Sequence, residues 1–137
     1  MDKMIDSCVW IDLFSAKAST AARAISRHAV AAKEAVLCEP IQFEVLRGCP
    51  SKARRELRRS METMPMLATP HDLWRRALAL GETCYDHRLV INSLDLLIAA
   101  LCLHHEVSLV TFDVHFRKLA EWSKLKVEIL KRPGSAG

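Results

Sequence analysis

The sequence predicts an α/β fold, a single domain with a central, mostly parallel sheet of about four to five short strands and helices on both faces. Three observations predict it. Short apolar runs alternate with longer stretches of helical periodicity, the connections between them are brief, and acidic residues fall where strands end. In 137 residues, half of them hydrophobic and about a quarter charged, there is enough apolar side chain for one core and no bias toward disorder, fibres or repeats. Residues 1–131 are expected to form the domain, and 132–137 a flexible C-terminal tail.

The elements follow in order. Lys3-Met4-Ile5 reads as a short strand ending at Asp6, and Ser7 as the cap of a helix carrying Val9, Trp10, Leu13 and Phe14. Ala18 to Ala35 is alanine-rich with scattered basic residues and favours helix. Val36-Leu37-Cys38 suits a buried strand, and Pro40 the first position of a helix from Ile41 to Arg47 that closes at Gly48. Ser51 caps a very basic helix running to about Met61. Thr69-Pro70-His71-Asp72 opens another, with Leu73, Trp74, Ala77, Leu78 and Leu80 ahead of Gly81. That apolar stripe reads as core, with a dimer surface as the alternative for part of it. Asn92 or Ser93 caps Leu94 to His104. Val107 to Thr111 is the clearest strand, followed by Asp113 and a helix through Phe116, Leu119 and Trp122, and Val127 to Leu130 is the last strand.

Composition narrows the function classes. The five cysteines are scattered with no C-x-x-C pair, which excludes a zinc knuckle and points to a reducing cytosol. His104 and His105 are adjacent, so on a helix they diverge by about 100° and do not chelate as an i, i+4 pair would. No basic segment followed by an apolar one opens the sequence, and Leu89 to Leu103 is too short and too interrupted to span a bilayer. A soluble, cytoplasmic protein without a membrane partner is the expectation. A net charge of +4 accommodates a polyanionic ligand.

The acids carry the chemistry. Asp6 closes the first strand and Asp113 follows the Val107–Thr111 strand, while Asp95 and Glu44 lie within apolar helical runs. In a parallel α/β sheet the carboxyl ends of strands line one crevice, where acids distant in sequence meet. Carboxylates gathered there repel one another, so a cation or shared protons must stabilise them. Oxygen ligands without His or Cys favour Mg²⁺, with Mn²⁺ as a substitute. Each acid also has a plainer reading: Asp6 or Asp113 as a helix cap, Asp95 as a partner of the helix dipole, Glu44 on a solvated helix edge. It is their combination, two of them inside apolar runs, that favours a site.

With these residues in view, the sequence resembles the PIN-domain nucleases, specifically the VapC-type toxins of prokaryotic toxin–antitoxin pairs. The matching segments are Ile5-Asp6-Ser7-Cys8-Val9-Trp10-Ile11, Phe43-Glu44-Val45-Leu46-Arg47-Gly48, Asp95-Leu96-Leu97-Ile98-Ala99-Ala100 and Leu109-Val110-Thr111-Phe112-Asp113, with Phe116 beyond. The resemblance implies that Asp6, Glu44, Asp95 and Asp113 form the catalytic acidic site, that Asp6 and Asp95 are metal ligands, and that Ser7 and Thr111 are supporting hydroxyls. It implies a metal-dependent endoribonuclease that inhibits translation and leaves a 5′-phosphate and a 3′-hydroxyl. A VapB-like antitoxin covering the crevice, a homodimer, and contact with promoter DNA only through the antitoxin also follow from it.

Beside the acids lies a basic segment. Arg47, Arg54, Arg55, Arg58 and Arg59 form a cationic surface that reads either as an RNA-binding track or as a solvated helix face. Cys8 reads as a packed thiol and not a nucleophile. Two enzyme alternatives and one non-catalytic alternative stand beside the toxin reading. A haloacid-dehalogenase-like phosphatase wants an Asp where Cys8 stands. A PIN nuclease of RNA processing outside a toxin pair, or a PIN domain that only binds RNA or protein, shares the same segments.

Overall fold

The computed structural model describes residues 1–134; the last three residues of the expected tail, 135–137, lie outside the described residues. Four strands, β1 (Lys3–Ile5), β2 (Ala35–Val36), β3 (Ser108–Thr111) and β4 (Val127–Ile129), pair in the order β2-β1-β3-β4, all parallel. Between them run α1 (Ser7–Asp12), α2 (Thr20–Val30), α3 (Glu39–Arg47), α4 (Ser51–Glu62), α5 (Leu73–Asp86), α6 (Ser93–His105) and α7 (His115–Trp122). The expected α/β architecture is borne out, and the sheet is wholly parallel.

Register fixes the two faces. Met4 stands opposite Leu109 and Ile5 opposite Val110, so alternate residues of the central pair point to opposite sides. On one side a cavity of about 380 Å³ is lined by Ile25 and Ala29 of α2 together with Ile5 and Val110 of the sheet. On the other, Met4 and Leu109 are fully buried, and α6 packs against β3. That helix buries six consecutive residues, Leu97, Ile98, Ala99, Ala100, Leu101 and Cys102, which explains why its sequence is apolar all round.

Several boundaries differ from the sequence reading, each for a reason the contacts show. Asp6 caps α1 by accepting the Ser7 N–H, so Ser7 begins the helix and its hydroxyl is released for other work. Ser19 caps α2 through the Ala22 N–H, which shortens the alanine-rich helix at its start, and β2 claims Ala35 at the far end. Leu37 leaves β2 and bridges to Met66, exchanging bonds with the backbone of Pro65 and Leu67. Pro50, not Ser51, stands at the cap of α4. Thr69 turns its hydroxyl to Glu39, and α5 begins only at Leu73, after Asp72. The helix then continues through Gly81 because the missing side chain leaves room for α6. A Cβ there would stand 3.2 Å from Leu96 Cδ1.

The topology positions the site. The chain leaves β1 toward β2 on one side and returns to β3 on the other, continuing outward to β4. The order therefore reverses between β1 and β3, and their carboxyl ends border the crevice where ligands bind in open α/β sheets. The C-terminal segment ties back to the same region. Arg132 donates to both Asp12 carboxylate oxygens, at 2.9 and 3.2 Å, and its guanidinium lies 4.2 Å from the centre of the Phe112 ring.

Candidate active site

Asp6 is the centre of the crevice. It follows β1 directly, is almost wholly buried, and receives the Ser7 N–H on Oδ1 at 2.8 Å and the Thr111 hydroxyl on Oδ2 at 2.7 Å. Thr111, last residue of β3, accepts the Asp113 N–H at 3.0 Å with the same oxygen that donates to Asp6. One hydroxyl thus links the turn after β3 to the carboxylate after β1. Burial raises the Asp6 pKa; the bonds from Thr111, Ser7 and Cys8 pull it back, and the neighbouring Glu44 charge adds to the rise.

Glu44 and Asp95 enter from helices. Glu44, midway along α3, accepts a hydrogen bond from the Ser7 hydroxyl, which couples α3 to the start of α1. Asp95 lies in the first turn of α6. Asn92 caps that helix, accepting the Asp95 N–H at 2.9 Å while its amide donates to Asp95 Oδ2 at 2.9 Å, so the carboxylate is held by its own capping residue. Burial, and then the charges of Asp6, Glu44 and Asp113, push the Asp95 pKa up to about 7. Asp113 turns Oδ1 to His115, whose N–H and Nδ1 lie at 2.9 and 2.8 Å. Of the four sequence-nominated acids, Asp6, Glu44 and Asp113 lie near enough to Asp95 to burden it electrostatically.

Among the described residues, no three His, Cys, Asp or Glu side chains close on one point tightly enough to enclose an ion. The donor set still fits a hard divalent cation. It offers carboxylate oxygens in mutual repulsion, and Mg²⁺ takes one or two carboxylates while keeping several waters. Asp6 and Asp95 are the acids whose charged forms are most penalised and which such a cation would relieve.

Two contributors escaped the sequence reading. Cys8 is not simply core: its sulfur lies 3.5 Å from Asp6 Oδ2 and 3.3 Å from Thr111 Oγ1, and accepts the Phe112 N–H at 3.4 Å. Burial and the Asp6 charge push this thiol up to about 12, so it stays protonated and is no nucleophile. Asn92 was legible as a helix cap, but nothing in sequence showed that its amide would hold a site carboxylate. The basic residues divide. Arg47, Arg54 and Arg58 line one groove between α3 and α4, whereas Arg55 and Arg59 are exposed one step round α4.

A four-stranded parallel sheet with acids gathered at its switch point defines a class. The chain belongs to the PIN-domain family, whose family model matches residues 3–121. Within that class it is 30% identical over 133 residues to a VapC ribonuclease of Mycobacterium bovis and equally to ribonuclease VapC11 of Mycobacterium tuberculosis, covering 90% of this chain and 95% of each relative. Solved structures agree on the fold. VapBC2 from Rickettsia felis, bound to a promoter DNA fragment, superposes with a TM-score of 0.70 at 16% identity, covering 94% of this chain and 98% of that one. DNA-bound VapBC from Salmonella typhimurium gives 0.71 at 11% identity over the same shares.

Proposed function

We propose that the protein is a divalent-metal-dependent endoribonuclease, the toxin of a type II toxin–antitoxin pair, that hydrolyses RNA phosphodiester bonds and so inhibits translation. The observation that carries the reading is Asp95, pushed up to about 7 by its own burial and by three converging acids. Relatives named as VapC ribonucleases that match nearly end to end support the choice of substrate. Bound Mg²⁺, or Mn²⁺ in its place, supplies Lewis-acid polarisation of the phosphoryl group and lowers the pKa of an attacking water.

The chain's residues prepare the reaction. Asp6 and Asp95 provide the ligand oxygens, and Thr111 and Asn92 fix their orientation. Ser7 orders Glu44, and His115 holds one oxygen of Asp113. Water adds to phosphorus, the bond to the 3′-oxygen breaks, and that oxygen leaves with a proton, giving a 5′-phosphate and a 3′-hydroxyl. The decisive experiment is RNA cleavage by purified Asp6→Asn and Asp95→Asn variants in Mg²⁺ or Mn²⁺, with folding checked by circular dichroism. Each is expected to lose at least a hundredfold in rate. Wild-type rates in both remove the carboxylate–metal mechanism.

Two partners belong to the proposal. One is a VapB-like antitoxin that covers the crevice and makes the promoter DNA contacts of the pair, a partner supported by the VapBC complexes that share this fold. The other is a second copy of the chain. Trp74, Leu78 and Tyr85 form a stripe along α5 and are 74%, 64% and 83% exposed. Two such stripes, paired antiparallel, set each Trp74 against Tyr85 of the other copy. They also bring Arg75 to the end that carries Glu82 and Asp86. No helix is long and apolar enough among the described residues to cross a membrane, and the proposed setting is the cytoplasm.

A further inference from the structure

Phe43 is a large aromatic side chain left 62% exposed on α3, one residue before Glu44. A solitary exposed phenylalanine carries no message. This one lines a groove of about 550 Å³ together with Gln42, Leu46, Arg47, Arg54 and Arg58. The Arg47 guanidinium lies 6.0 Å from its ring centre, one helical turn on, and backs the ring with positive charge. Glu39, the acid at the groove, accepts the Thr69 hydroxyl at 2.8 Å. Across from Phe43, Arg54 is braced by a 3.1 Å bond from Nη2 to the Cys49 carbonyl, and Arg58 follows it one turn later.

An aromatic face among arginines suits an unpaired nucleobase flanked by phosphates. Stacking needs a π-face and little sequence, while the guanidinium groups neutralise the backbone on either side. Duplex RNA keeps its bases inside the helix and offers nothing to such a platform. We infer that the α3–α4 groove is a nucleobase subsite: Phe43 stacks one base of single-stranded RNA, Arg54 and Arg58 hold the adjoining phosphates, and Arg47 spans the space between that base and Glu44. Because Glu44 reaches Ser7 at the crevice, the stacked base sets which phosphodiester of a single strand lies over the acids. The inference rests on the ribonuclease reading for its ligand, but its test does not depend on turnover.

The test measures binding of a short single-stranded RNA carrying 2-aminopurine to the full chain with Asp95→Asn in place. Fluorescence quenching of that base by the protein, and at least fivefold weaker binding with Phe43→Ala but not with Phe43→Trp, are expected. The Phe43→Ala salt slope should match that of the parent because no charge is lost, whereas Arg54→Glu with Arg58→Glu should flatten it. Duplex RNA of the same sequence should bind equally to Phe43→Ala and parent. Equal single-strand affinity in parent and Phe43→Ala overturns the subsite, as does a Phe43→Ala defect confined to antitoxin binding. RNA held through Phe43 but never cut by the wild-type chain would leave the subsite standing and remove the nuclease.

Discussion

Asp95 shows how a site shapes the stability of the protein that carries it. In the folded chain its proton is released only near pH 7, against 3.8 for the ordinary residue. Between those values the folded state holds a proton that the unfolded state has lost. Folding stability contributed by this group therefore falls as pH rises through the window, and the whole cost is present above it. Asp6 shifts in the same direction, first through burial. We expect metal-free protein to resist denaturant better at pH 5 than at pH 8 in respect of these groups. Asp95→Asn should stabilise the metal-free protein at pH 8 by on the order of 1 kcal/mol, a figure discounted for the solvent screening of a half-buried group. Stabilisation of the wild type by Mn²⁺ should grow over the same range, because the cation binds the deprotonated acids. Urea titrations with chelator and with Mn²⁺ measure both, and an Asn variant less stable than the wild type at pH 8 contradicts the account.

At the scale of elements, α5 gives the clearest prediction. Its inner face is anchored by Leu73, Ala77 and Cys84, while Trp74, Leu78 and Tyr85 face water. Two exposed stripes bury on the order of 1,000 Å² when paired, the lower end of specific interfaces, so a dimer of modest affinity follows. Sedimentation at micromolar concentration should find wild type as dimer and Leu78→Glu as a folded monomer. A wild-type monomer at those concentrations removes the pairing. The same helix marks how far sequence reading reaches. Apolar positions located the helix, but their pattern did not separate Leu73 and Ala77, which are buried, from Trp74 and Leu78, which are not. That division depends on where α6 lies, a tertiary fact. Gly81 read as a stop for the same reason, since Leu96 is distant in sequence and close in space. The strand-end acids were legible because period and position relative to strands are local. Their partners Cys8 and Asn92 were not, because a thiol or an amide beside a carboxylate is defined only by folded geometry.

At the scale of the whole molecule, the order reversal between β1 and β3 sets both place and timing. It gathers acids from the beginning, middle and end of the chain at one edge of the sheet. The Arg132–Asp12 pair draws the C-terminal segment to the helix that begins there. Phe43 at the α3–α4 groove and Glu44, which reaches Ser7, are neighbours on α3, so the proposed base subsite and the crevice share one helix.

The bond from Thr111 to Asp6 joins residues 105 positions apart. During synthesis at about 5–20 residues per second, roughly 5–20 seconds separate the making of its two ends. Until β3 leaves the ribosome, β1 lacks one of its two strand partners, and the acids at its border lack their common scaffold. Under the proposed function, a nascent chain gains nuclease activity only after β3 has emerged. Stalled nascent chains of increasing length should cut added RNA only once residues through β4 have emerged, and cleavage by chains stalled before β3 would show that the scaffold is dispensable.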